Sequence, residues 1–466
     1  MDISVVKTSR PRPWLLPAAL ATLALMYAWF WVVVSHRIVG TPYSGFASVF
    51  VTGCGDFEHF YHGARALRDG TDLYASGVRG YIYPPLLAFL FMPLTAFSVQ
   101  TAAWIMLVVN LGLGLMCAWV MAGETLRRFD VEATSTRVAV VAALATLFAA
   151  TKLRSEFQMW QTNILLMAAL VLALRFLDSR PRLAGLLLGL AFDIKYLPIV
   201  FLPYLLLRRR FVAAGWFCIG IVAFALMPAL VTGWGTNLHY WAQALSGIAH
   251  LFGIDTPGIP PANIDPIGIG HSISITSGVS RLLSEAPRVV GPAVVACIMA
   301  ATALLLSRIY RRMAMPLLVW PSAIEQGAQP WRLLVVLEWS ALVALDLAFS
   351  PQTNPRHASL LLLIFVPMAA MLCYPKAGTA RWPAWVGTGI LLFGMLYPPN
   401  LASTVQELAW WRHVGGAGWC MVLSLPFFFA AGFARLRPHN AVSGDAVVAP
   451  ADLPVPSTGT PLPQSS

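Results

Sequence analysis

The sequence predicts an all-α polytopic membrane protein with about twelve transmembrane helices, and three observations carry that prediction. Lys, Arg, Asp and Glu together make up 11% of the 466 residues, against roughly 25% in soluble domains, which is too few to build a water-facing surface. Apolar residues reach 58% and the mean hydropathy is +0.70. The excess runs in long blocks separated by short polar or basic stretches, as successive spans do, instead of recurring at amphipathic spacing.

Lys7, Arg10 and Arg12 precede the first block, 14–35, and put residues 1–13 in the cytoplasm by the positive-inside rule. That block is long enough to span and has no evident small-residue cleavage site, so it reads as an anchor and not as a removable signal. Residues 36–80 then form a first outer loop. Twelve further apolar blocks follow, at 82–97, 100–122, 138–151, 160–177, 183–196, 197–208, 211–232, 289–309, 332–350, 357–373, 383–398 and 414–434. Counting back from the C-terminus, the basic clusters at 435–437, 376–381, 308–312, 208–210 and 178–182 are each two crossings apart and all cytoplasmic. With both termini inside the number of spans is even, so one of the thirteen blocks does not cross. The pair 82–97 and 100–122 is the expected place of the exception, since the first is 16 residues long with Pro84, Pro85 and Pro93 and almost no charge separates the two; which of them fails to span is left open. The membrane domain is 14–434, with a long Gly- and Pro-rich outer loop at 233–288. Residues 435–466 read as a disordered cytoplasmic tail.

The net charge of +11 sits in those short clusters and is read as orientation, so no nucleic-acid partner is expected. The six cysteines stand singly, with no C-x-x-C and no metal-ligand spacing, and decide nothing about redox compartment or cofactor. No cofactor and no residues that ligate a metal are assigned, and the metal requirement is left open.

Chemistry concentrates in the first outer loop. Phe57, Phe60, Tyr61, Ala64 and Leu67 fall on one face of a helix too short to span and suited to lying on the membrane surface. Asp56 stands at its N-cap and Gly70 just past its end. Capping alone accounts for an Asp there, and Asn would serve as well. A carboxylate at the mouth of a membrane cavity is also placed to act as a general base. Ionisable residues in or near spans are costly and point to function, which singles out Lys195, Arg281, Arg356 and His357, all at expected outer ends. Asp193 has no assigned role. Glu338 and Asp346, on one face of a span, are expected to meet a buried partner or a polar cavity.

The order Asp56-Phe-x-x-Phe-Tyr-x-x-Ala-x-Ala-Leu-x-x-Gly-x-x-Leu-Tyr74, followed by Tyr81-x-Tyr83-Pro-Pro-Leu86, resembles glycosyltransferase family 87, polytopic enzymes of the C-type glycosyltransferase superfamily. Gln161 and Asn163 look like the family's Gly-Gln-x-Asn, with Trp160 in place of the glycine. Lys195-Tyr-Leu-Pro198 is similar to its Lys-x-x-Pro block, and Ser350-Pro351 with His357 to its Ser-Pro and histidine pattern. Gly270-His271-Ser272 departs from the Asn-Gln-Ser common before the Arg281 region. The resemblance covers about residues 50–375.

The resemblance implies a C-type glycosyltransferase fold and inverting transfer of a sugar, mannose above all, from a polyprenyl-phosphate donor to a lipid or glycan acceptor at the outer face of the cell membrane. The expected partners are therefore that donor, the acceptor and membrane lipid. Phosphate is a good leaving group, so one base suffices, with cationic and hydrogen-bonding groups for the departing phosphate. Asp56 is the expected base. His357, Arg356, Arg281, Lys195, Gln161, Asn163 and Tyr83 are the expected donor-phosphate or substrate-binding residues. The rival class is a transporter or flippase of lipid-linked intermediates, which would place its polar groups near the midplane on broken helices.

Overall fold

The computed structural model describes residues 12–39, 54–77, 80–313, 315, 329–395 and 406–436. The basic residues Lys7 and Arg10 and all of the expected 435–466 tail from 437 onward lie outside the described residues; Arg435, at its start, is buried and donates to the Tyr374 carbonyl at 2.7 Å, and so belongs to the folded part. Among those described there are helices and turns and no strand. Among the described residues, six helices are long and apolar enough to cross a membrane: Leu15–His36, Val99–Arg128, Ser135–Gln158, Phe211–Thr232, Val290–Arg312 and Gly416–Ala434. With its composition, that makes the chain an integral membrane protein.

Several shorter apolar helices complete the bundle, among them Asn163–Phe176 and Trp382–Met395. Fourteen residues at about 1.5 Å each reach only about 21 Å, short of a hydrocarbon core of about 30 Å. Helix 163–176 consequently begins inside the bundle. The turn that feeds it, Trp160 to Asn163, is wholly buried, as irregular backbone at membrane depth must be. The centre of the bundle is the 357–373 segment, in which every residue from 358 to 372 is buried. It packs against helices 99–128 and 135–158, with 329–349 and 416–434 on its other side. Helix 15–39 lies along 135–158 at the edge.

Charge separates the two ends of the bundle. At one end Arg128, nearly inaccessible, donates to Glu124 at 2.8 Å and to Asp178 at 2.8 Å, and Arg210 joins Asp178 at 2.7 Å. Glu338 finds its partner there: Arg208 forks onto its carboxylate and the Tyr310 hydroxyl donates to it at 2.9 Å. The opposite end carries Asp56 and the other candidate site residues.

Of the two blocks between which the non-crossing one was expected, 82–97 is a seven-residue helix, Pro85–Phe91, and a 3-10 turn, Met92–Ala96, too short to cross. Three sequence readings change. The 183–196 block ends at Ile194, which leaves Lys195 in extended backbone. The amphipathic helix of the first loop, Phe57–Asp69, turns its apolar face to protein and not to lipid: Phe57, Phe60, Tyr61, Ala64 and Leu67 are buried against 85–96, and the Tyr61 hydroxyl donates to the Phe97 carbonyl at 2.7 Å. The long 233–288 loop holds two helices, Trp234–Leu251 and Ile275–Leu282. Averaging composition over that loop hid the first, in which Asn237, Tyr240 and Ala244 face the protein while Trp234, Leu238 and Leu245 face out.

Candidate active site

Asp56 precedes its helix without capping it. It occupies the N-cap position in helical conformation and makes no side-chain cap bond, because its carboxylate turns away from the helix. Glu58 does the local work, its Oε1 accepting from the Cys54 N–H at 3.3 Å. Gly55, at φ +57, brings the chain against Met159 so closely that an added Cβ would sit 3.1 Å from Met159 Cα. That left-handed approach delivers Asp56 to the 158–163 turn.

There the Asp56 Oδ2 accepts from Gln161 Nε2 and from Arg356 Nη1. The two ion-pair side chains keep 17% and 27% of their exposure, for Asp56 and Arg356 respectively, so this carboxylate is reachable from outside the bundle. Behind it lies Lys195, 5% exposed. Its Nζ donates to Gln161 Oε1 at 3.3 Å and to Asn163 Oδ1 at 2.6 Å, faces His357 Nε2 at 3.4 Å, and lies 5.2 Å from the centre of the Tyr83 ring. The position of Lys195 is set by helix 181–194, which closes onto helix 211–226 through Gly185, Gly189 and Gly220, a small-residue seam typical of membrane helix pairs. Tyr83 is pushed up from the usual phenol range by burial and then by the Asp56 carboxylate, and it faces the ammonium as a neutral ring.

The turn is held from below by a residue the sequence reading passed over. Glu156, fully buried near the end of helix 135–158, accepts from the Asn163 backbone N–H at 2.9 Å and from Asn163 Nδ2 at 2.8 Å, and its own carbonyl accepts from the Gln161 N–H at 3.3 Å. Trp160, the residue in the family's glycine position, takes φ +48 and is buried, its indole N–H donating to the Ala103 carbonyl at 3.0 Å.

The structure thus brings together Asp56, Tyr83, Gln161, Asn163, Lys195, Arg356 and His357. It does not bring Arg281 to them. Arg281 donates to the carbonyls of Ile269, Ser272, Arg412 and His413 at 2.7–3.2 Å, tying the long loop to the 406–413 helix; burial, then the neighbouring Arg412, lowers its guanidinium from the ordinary value. Asp193 is buried with neither carboxylate oxygen hydrogen-bonded among the described residues, and it is not part of the cluster. Among those residues no group of three or more His, Cys, Asp or Glu could hold a metal.

The cluster thus holds one partly exposed carboxylate in contact with an arginine and one amide away from a buried lysine, on a helical membrane bundle. The sequence profile of glycosyltransferase family 87 matches residues 81–323, just over half of the chain, and the protein belongs to that family. A polyprenol-phosphate-mannose-dependent alpha-(1-2)-phosphatidylinositol mannoside mannosyltransferase of Mycobacterium tuberculosis is 31% identical over 252 residues, covering 50% of this chain and 54% of the relative. Its counterpart in Mycolicibacterium smegmatis is 29% identical over 263 residues, covering 50% and 53%. A pentamannoside mannosyltransferase of the same species is 29% identical over 332 residues, covering 71% and 70%. The matched part spans about half the length of the first two relatives. Among solved structures, ArnT from Cupriavidus metallidurans bound to undecaprenyl phosphate gives a TM-score of 0.38 at 12% identity, covering 90% of this chain and 78% of that one.

Proposed function

We propose that the protein is an inverting glycosyltransferase that moves a sugar, mannose in the first instance, from a polyprenyl-phosphate donor to a hydroxyl of a lipid or glycan acceptor. The observation that carries this reading is the placement of one reachable carboxylate, Asp56, in contact with Arg356 and one amide away from Lys195. In the step proposed, the acceptor oxygen bonds to the anomeric carbon as the carbon–oxygen bond to phosphate breaks. The acceptor proton passes to Asp56, and the electron pair leaves with the polyprenyl phosphate. A leaving group this good needs charge stabilisation more than a proton, so two cations and one base suit the chemistry. Inversion follows from a single displacement. The basic clusters described in the sequence support an outer-face site. The donor and acceptor named for the mycobacterial relatives support a polyprenol-phosphate-mannose donor and a glycolipid acceptor here.

The test is direct. Purified protein in lipid nanodiscs is incubated with polyprenyl-phosphate [14C]mannose and a bacterial lipid extract. Label is expected to move to a new lipid or glycan product, and GDP-mannose is expected not to substitute. Absence of transfer from every polyprenyl-phosphate sugar offered, by a folded protein, overturns the proposal.

A further inference from the structure

The Lys195 ammonium is buried and, among the described residues, forms no direct ion pair with a carboxylate. A buried cation without a counter-charge costs several kcal/mol, so how it is held matters. Two amides connect it to two carboxylates. Gln161 accepts from Lys195 with Oε1 and donates to Asp56 with Nε2. Asn163 accepts from Lys195 with Oδ1 and donates to Glu156 with Nδ2. Each amide is oriented by the pair it joins, oxygen to the cation and nitrogen to the anion.

The two carboxylates differ in what they are free to do. Asp56 is partly exposed and also engaged by Arg356. Glu156 has no exposed surface, and both of its oxygens are committed to Asn163. When Asp56 takes up a proton, Lys195 keeps only the Glu156 side of its support. We propose that Glu156 is a positioning residue: through the Asn163 amide it supplies the standing counter-charge that holds the Lys195 ammonium in place for the donor phosphate. The proposal rests on the transferase reading for what Lys195 binds, though not for how it is held.

Glu156→Gln leaves one oxygen for two donors; with that oxygen kept on the fixed Asn163 backbone N–H, the introduced NH2 stands opposite Asn163 Nδ2. Asn163 must then flip and present its own NH2 to the ammonium. Adding Asn163→Asp to that variant moves the negative charge one link closer to the ammonium: the introduced glutamine amide donates to the introduced carboxylate, which accepts from Lys195. The experiment uses the full chain in nanodiscs, with wild type, Glu156→Gln, Lys195→Gln, their double variant and the Glu156→Gln/Asn163→Asp swap. The readouts are KM for polyprenyl-phosphate mannose, kcat, affinity for unglycosylated polyprenyl monophosphate, and melting temperature.

Glu156→Gln is expected to raise donor KM by on the order of tenfold, with a smaller fall in kcat. Lys195→Gln is expected to do at least as much, and the double variant no more than the worse single one. The swap is expected to recover most of the affinity. A residue that only braces the 158–163 turn would give the same loss with or without the lysine, and moving its charge would not rescue it. Additive losses, or a swap that recovers neither affinity nor melting temperature, overturn the proposal. If wild type transfers no sugar, the proposed function fails, and the melting cycle and the swap still decide whether Glu156 and Lys195 are coupled.

Discussion

Asp56→Asn separates catalysis from structure, and the geometry sets both magnitudes. Both donors to Asp56, Arg356 Nη1 and Gln161 Nε2, meet the same oxygen, Oδ2. An Asn with its carbonyl oxygen in that place keeps both bonds, the one from Gln161 now neutral and the one from the Arg356 guanidinium without its anionic partner. A hydrogen bond to a charged group contributes about 1.5–3 kcal/mol and a neutral one about 0.5–1.5, so the variant loses roughly 1–2 kcal/mol of stability and keeps its fold. The loss is therefore not zero, as pure capping would have it, because the side chain is not a cap. An amide cannot take the acceptor proton. Removing a general base costs about 10²–10⁴ in rate, which is about 3–5.5 kcal/mol of barrier. Neutralising a carboxylate next to the donor phosphate should leave donor KM unchanged or lower it. The assay is initial-rate transfer from labelled polyprenyl-phosphate mannose, with melting curves on the same preparations. A variant that melts within a few degrees of wild type and keeps kcat within a factor of about ten refutes Asp56 as the base. The search would then move to Glu58, His59 and His357.

Gly185→Val should separate helices 181–194 and 211–226, since a Cβ at Gly185 would lie 2.3 Å from the Ala213 carbonyl oxygen and 2.8 Å from the Phe217 nitrogen, both backbone atoms. Overpacking of this kind costs about 1–3 kcal/mol, visible as a lower melting temperature and reduced turnover, whereas Gly215→Ala, with open space around it, should leave both unchanged. Trp160→Gly restores the family's residue and relieves a left-handed conformation at about 1 kcal/mol, yet it empties a site holding a buried indole, for which about 3–5 kcal/mol is typical. Net destabilisation of roughly 2–4 kcal/mol in thermal or denaturant unfolding is expected, and a variant more stable than wild type would contradict it. Arg281→Ala should loosen the long loop, seen as faster proteolysis between 253 and 274, while donor KM stays near wild type. A collapse of donor affinity without any change in proteolysis would bring Arg281 back to the phosphate.

The membrane class and most helices were legible because hydropathy reports directly on burial in lipid. Hydropathy marks where apolar residues stop, which is not where a helix stops. The block drawn at 138–151 ended before Lys152, Arg154 and Glu156, whereas the helix continues to Gln158, and so Glu156 was left in an unremarked polar stretch. An ionisable residue one turn past an apolar block was the signal available. Lys195 follows Asp56 by 139 residues and His357 follows Lys195 by 162, and no periodicity predicts that they meet. Their association in the sequence reading came from the family's motif order. Arg281 was placed with them by its expected side of the membrane, a criterion too coarse to distinguish a guanidinium spent on carbonyls from one facing a substrate. The direction in which Asp56 points, into the 158–163 turn instead of onto its own helix, depends on the left-handed Gly55.

On the proposed reaction, the charges in the site change partners in a definite order. Before the sugar moves, Arg356 is paired with Asp56 and Lys195 is tied to both carboxylates through amides. Those two cations and two anions balance. Proton uptake by Asp56 removes one anion at the moment the departing phosphate gains its second negative charge. Arg356 then loses its carboxylate partner, and on the proposed reaction the departing phosphate takes that partner's place. On that proposal the base and the phosphate clamp would act as one linked device, proton transfer to Asp56 freeing the cation that the phosphate needs. Lys195 follows a different rule on this proposal, because Glu156 has no exposed surface and both of its oxygens are bonded to Asn163. Its charge stays in place through the cycle, where a preorganised cation costs no reorganisation at the moment of reaction. One mobile pairing and one fixed pairing around a single sugar–phosphate bond explain why the site holds two carboxylates although the chemistry requires a single base.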